Sequence, residues 1–238
     1  MSRRNYPSRN ENCISVKRMK PIKFFTIGFI LALIISSRAL GDNSPKQVEG
    51  VIKKDAEWSG TVLVTGDVLV PDGITLKIDP GAKVLFVSSE SSKIEPLYLS
   101  MQTELLVRGK LLAKGTEKEP IIFSSAGRDE DGNRITPKKG CWAGLIFDGQ
   151  DSSDSVVSYA SITFADSAIT TINASPVFNF CNLTNGNYGI SCLGESWPLV
   201  YSCNIAGNDF GVLSGKGAEA GIDQTKVENN KVNFIARQ

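Results

Sequence analysis

Asp166, Asn187 and Asp209 recur at matching places in the second half of this 238-residue chain, at intervals of 21 and 22 residues. Two carboxylates at a fixed separation can divide acid and base work on a glycosidic bond, and inverting enzymes hold them roughly 6.5–9.5 Å apart. On strands two sheet spacings apart, Asp166 and Asp209 would be separated by about 9.6 Å. Each of the three also sits just before Ser-Ala, Tyr-Gly or Phe-Gly, where an Asx side chain caps a turn, and that structural role is the stronger reading. The chain has no His and no CxxC pair, so a zinc site of the usual ligands is not expected. No catalytic constellation emerges. The chain reads as a non-enzyme, with a polysaccharide-degrading lyase or hydrolase of unrecognised site as the alternative.

A second row is Ser158, Asn179, Tyr201 and Asp223. These positions alternate with apolar ones, so they line one outward sheet face. Hydroxyl, amide and phenol groups suit the hydroxyls and ring of a sugar. An ordinary solvated sheet surface is the competing reading. Asp129-Glu-Asp131-Gly-Asn133 has some of the spelling of a calcium loop but lacks its spaced ligands and closing Glu, so a flexible acidic loop is expected and no cofactor is assigned. Trp142 and Trp197 could stack on a sugar, though both are expected to cover the core edge. Cys181 and Cys203 would bring their Cβ atoms to about 4.8 Å, slightly beyond disulfide range. A reduced stack is therefore favoured over a compressed bridge.

The elements that position these rows are repeats. Pro176-Val-Phe-Asn-Phe-Cys181-Asn-Leu matches Pro198-Leu-Val-Tyr-Ser-Cys203-Asn-Ile at a spacing of 22. A copy 21 residues earlier aligns Val157, Tyr159 and Ile162 with Phe178, Phe180 and Leu183, and a later copy brings in Val227 and Phe234. Apolar residues two apart, such as Phe178 and Phe180, indicate strands with alternate side chains on one side. The step of three from Phe180 to Leu183 marks a bend. Strand, bend, strand, turn and strand in about 22 residues make one coil of a solenoid. Stacked coils pair equivalent strands in parallel and align inward columns. These are Val157, Phe178, Val200; Ile162, Leu183, Ile205, Val227; and Ile169, Ile190, Val212, Phe234.

The N-terminal half follows the plan with longer coils. Trp58-Ser-Gly60 and Trp142-Ala-Gly144 each open an alternating run, and Pro71-Asp-Gly73 and Asp79-Pro80-Gly81 turn the chain. Ser88–Thr103 and Ser125–Gly140 break the rhythm and are expected as loops leaving the coil. The expected fold is all-β, a single-stranded right-handed parallel β-helix over 58–238, with 42–57 as an N-terminal cap or linker. About seven coils would give a rod of roughly 35 Å. A β-sandwich is the alternative, and four in-register copies argue against it.

Residues 1–41 read as an N-terminal extension plus signal peptide. Lys17, Arg18, Lys20 and Lys23 precede the apolar run Phe24–Ile35, and Ser37, Ala39 and Gly41 follow it, the order of an export signal. Its twelve residues fall short of the roughly 20 that a bilayer span needs, so no stable span is expected after cleavage. Met19 is the expected start of translation. Beyond residue 41 the chain holds 18 basic and 24 acidic residues, a net charge near −6, which disfavours nucleic acid as a partner. The placement expected is the periplasm or the cell surface. No capping helix is expected after Phe234, so self-association through that solenoid end is also open.

Val68-Leu-Val-Pro-Asp-Gly-Ile-Thr-Leu-Lys-Ile-Asp-Pro-Gly-Ala-Lys-Val-Leu-Phe86 resembles the opening of secreted bacterial right-handed β-helix repeat proteins of the pectin-lyase-like superfamily. Gly109-Lys-Leu-Leu-Ala-Lys-Gly115 and Pro120-Ile-Ile-Phe123 extend the resemblance, which covers about 58–234. It implies the fold strongly and an activity weakly. The polygalacturonase-like pattern of Asp pairs with a His-containing motif is missing. So is the pectate-lyase-like set of calcium-binding Asp residues with Arg or Lys. In the superfamily's enzymes a substrate groove lies along a sheet face, so the resemblance points to polysaccharide over the row Ser158, Asn179, Tyr201 and Asp223. The expected function is a binding or structural module that interacts with carbohydrate, with a surface-assembly subunit as a further alternative.

Overall fold

The computed structural model describes residues 45–89 and 100–236, so the expected export segment over 1–41 and most of the first interrupting stretch lie outside the described residues. Among the described residues the regular elements are strands and one 3-10 turn, Gln150–Asp154. In chain order the first strands are β1 (Lys46–Val51), β2 (Ala56–Trp58), β3 (Thr61–Val70), β4 (Thr75–Ile78), β5 (Lys83–Ser88) and β6 (Glu104–Val107). Next come β7 (Lys110–Lys114), β8 (Ile121–Asp129), β9 (Gly144–Asp148), β10 (Val156–Ser158), β11 (Ala160–Thr163) and β12 (Ser167–Ile172). The repeats supply β13 (Val177–Asn179), β14 (Asn182–Thr184), β15 (Tyr188–Leu193), β16 (Leu199–Tyr201), β17 (Asn204–Ala206) and β18 (Phe210–Ser214). The last are β19 (Gly221–Asp223), β20 (Lys226–Glu228) and β21 (Val232–Ala236).

Every pairing between two of these strands is parallel. Strands β2, β4, β7, β10, β13, β16 and β19 form a 7-stranded sheet in that order. The others form a 14-stranded sheet that turns at β3. The first half of β3 pairs with β5 and its second half with β6. One arm continues from β5 through β8, β11, β14, β17 and β20, and the other from β6 through β9, β12, β15, β18 and β21. The stretch expected as a cap or linker, 42–57, supplies β1, which pairs with β3, and most of β2.

The inward columns are in register. Val157, Phe178 and Val200 are successive Cα partners, as are Ile162, Leu183, Ile205 and Val227, and Ile169, Ile190, Val212 and Phe234. Apolar β-branched and aromatic side chains at alternate positions give each short strand one face to bury. Phe86 stacks on Trp142 at 3.9 Å in the same core. Full burial of each such side chain stabilises by about 1.5–3 kcal/mol. The last column member departs from expectation, because Phe234 on the edge strand β21 is 59% exposed.

Two further expectations need correction. Phe180 does not share the inward face of Phe178: β13 ends at Asn179, and Phe180 occupies the bend with φ 53° and 42% exposure. Tyr159 lies at the equivalent bend with φ 48°. Alternation ends one residue sooner than the apolar spacing implied. Finally, Ser125–Gly140 is not wholly a loop. β8 runs on to Asp129, and Asp129 and Ile135 donate their N–H groups to Asn133 O and Gly127 O. An antiparallel Arg128–Arg134 bridge joins the same excursion.

Candidate functional site

The row read from the sequence is continuous in space. Ser158, Asn179, Tyr201 and Asp223 are successive Cα partners on β10, β13, β16 and β19, and Lys114 on β7 extends the row beside Ser158. Their inward neighbours Val157, Phe178 and Val200 are fully buried, which fixes the row on the outer face. Ser158, Asn179 and Tyr201 are half-buried and Asp223 is exposed. Among the described residues no side chain hydrogen-bonds to these four side chains.

A neighbouring row was not recognised in the sequence. Leu112, Val156, Val177 and Leu199 are in register two residues earlier on the same strands. Leu112, Val156 and Val177 are half-buried, and Leu199 is 45% exposed. The outer face thus carries an aliphatic row beside a polar one. Apolar residues on both faces of β10, β13 and β16 conceal which face is inward. The Tyr201 ring also meets the exposed Phe180 ring edge-on, with centroids 5.8 Å apart.

The Asx positions precede β12, β15 and β18 and are bound to neighbours. The expected turn caps are absent among the described residues. Asn187 Nδ2 donates to Asp166 Oδ1 at 2.7 Å, and Lys139 and Lys231 Nζ approach Asp209 Oδ1 at 2.7 and 2.9 Å. Hydrogen bonding from Lys139, then Lys231, lowers the Asp209 pKa below its ordinary value. A general acid needs the opposite shift. Lys139 belongs to the 125–140 excursion, which therefore reaches across to the start of β18.

The other candidates have structural roles or none resolved. Asp129 accepts from the Asn133 N–H and side-chain amide at 2.8 and 3.1 Å, closing its own turn. Among the described residues no group of three His, Cys, Asp or Glu side chains is placed to hold a metal ion. Trp142 is buried and donates its indole N–H to Thr163 O at 2.9 Å, whereas Trp197 is 58% exposed and does not seal the core. Cys141, Cys181, Cys192 and Cys203 are buried free thiols. Cys203 Sγ accepts the Cys181 N–H at 3.3 Å. Hydrogen bonding to Cys203 and burial raise the Cys181 pKa, and burial pushes Cys192 up to about 11. Held protonated by these shifts, the buried Cys181 and Cys192 thiols are poor nucleophiles. No protein-family model, no curated protein and no solved structure matches this chain.

Proposed function

We propose that the chain is an exported, non-catalytic module that binds carbohydrate, built as a right-handed parallel β-helix in the manner of the pectin-lyase-like superfamily. The two arms and the 7-stranded sheet are read as its walls, each contributing one strand per coil over about seven coils. Right-handedness follows the strong general preference of parallel crossovers. Export to the periplasm or cell surface rests on the basic, apolar and small-residue order of the N-terminal segment.

The observation that carries the functional reading is the row Ser158, Asn179, Tyr201 and Asp223, in register on the face opposite the buried Val157, Phe178 and Val200. A saccharide offers hydroxyls for such groups and an apolar ring face for Tyr201. The ion pairs on Asp209 weigh against its serving as a proton donor. The test is a glycan array probed with the full-length gene product, purified after export. Binding to a defined polysaccharide that weakens at least tenfold in Tyr201→Ala is expected. Silence across a broad array would overturn the proposal.

A further inference from the structure

Tyr159 and Phe180 carry aromatic rings where backbone geometry disfavours them. Both have positive φ at the bend between the 7-stranded sheet and the β5 arm. That conformation suits Gly, Asn or Asp and is an outlier for a bulky side chain. The bend does not itself require an aromatic, since Ser202 and Gln224 hold the equivalent positions with φ 51° and 49°. Tyr159 and Phe180 stack with centroids 4.7 Å apart and planes 12° from parallel. Strain retained at two equivalent positions points to a use for the rings outside the fold.

The rings border a groove of about 510 Å³. Asn182 and Asn204 also line it as Cα partners on β14 and β17, with Asn204 Nδ2 3.4 Å from Asn182 Oδ1. Lys226 follows in the same row on β20, and Glu228 balances its charge within the groove. We infer that this groove is a saccharide subsite and that its ligand is an uncharged polysaccharide. The C–H face of a hexose packs against the side of the stacked Phe180–Tyr159 pair that borders the groove, while its hydroxyls exchange hydrogen bonds with Asn182 and Asn204. A carboxamide both donates and accepts, as a hydroxyl does. With the charges of Lys226 and Glu228 offsetting each other, the groove offers an acidic sugar no net positive charge. Successive strands lie about 4.8 Å apart, comparable to the rise per residue of an extended hexose chain, so the polysaccharide runs across the strands. This inference rests on the carbohydrate reading above and adds both the gripping surface and the charge class.

The test measures affinity for neutral and acidic polysaccharides with the exported full-length gene product and three variants. Phe180→Asn places a residue that tolerates the bend, so its Tm should hold or rise while affinity for the neutral polysaccharide falls at least tenfold. Asn182→Ala, at an exposed position, should weaken binding without altering Tm and supplies the readout should Phe180→Asn misfold. Wild-type affinity in both variants, with loss only in Tyr201→Ala, would overturn the groove and leave the outer row as the site. Binding restricted to acidic polysaccharides would overturn the charge class while preserving the carbohydrate reading. Silence of the wild-type protein on all polysaccharides would overturn both.

Discussion

Cys203 and Thr225 perform the same task in consecutive repeats. Thr225 Oγ1 accepts the Cys203 N–H at 3.0 Å, as Cys203 Sγ accepts the Cys181 N–H at 3.3 Å. The Thr225 hydroxyl donates back to Val200 O at 3.0 Å, while the Cys203 thiol is 3.6 Å from Phe178 O. Sulfur is the weaker partner in both directions. Cys203→Thr should therefore match or exceed wild-type stability. Cys203→Val keeps the shape but leaves the buried Cys181 N–H without its acceptor, at a cost of about 1–3 kcal/mol. Urea unfolding distinguishes the variants, and equal midpoints for valine and wild type would refute the role assigned to sulfur.

Close approach of neighbouring strands sets the limit at the scale of the element. A Cβ added to Gly189 on β15 would lie 2.4 Å from Ile205 Cγ2 and 2.6 Å from the Gly211 carbonyl oxygen. The side chain can shift, but the oxygen belongs to the paired strand β18. Gly189→Ala should cost about 1–3 kcal/mol through overpacking, and Ile205→Leu, which removes the Cγ2 branch, should fail to restore the loss. Thermal unfolding of the single and double variants checks both statements. The inward columns were legible in the sequence because spacings of 21 and 22 residues place like beside like. The outer row Ser158, Asn179, Tyr201 and Asp223 followed from the same alternation. Phe180 escaped because an aromatic at a bend and one on a strand have the same apolar signature, and only the following step of three marks the change. The row Leu112, Val156, Val177 and Leu199 was hidden by adjacent apolar neighbours. The lysine partners of Asp209 were invisible because Lys139 arrives from 70 residues away.

Across the whole molecule, residues 182–203 contain β14, β15 and β16, one strand from the 7-stranded sheet and one from each arm. Their removal joins Cys181 to Asn204 and brings β13 beside β19, β11 beside β17, and β12 beside β18, with inward faces still aligned. In a quasi-one-dimensional stack each unit contacts chiefly its neighbours, so stability falls by one unit rather than collapsing. The 22-residue deletion should give a β-rich circular dichroism spectrum and cooperative melting at a lower temperature, whereas deletion of about half a unit should not, because parallel register would be lost. The chain is graduated like a ruler: gain or loss of one division lengthens or shortens its outer row by one rung without redrawing the marks that remain.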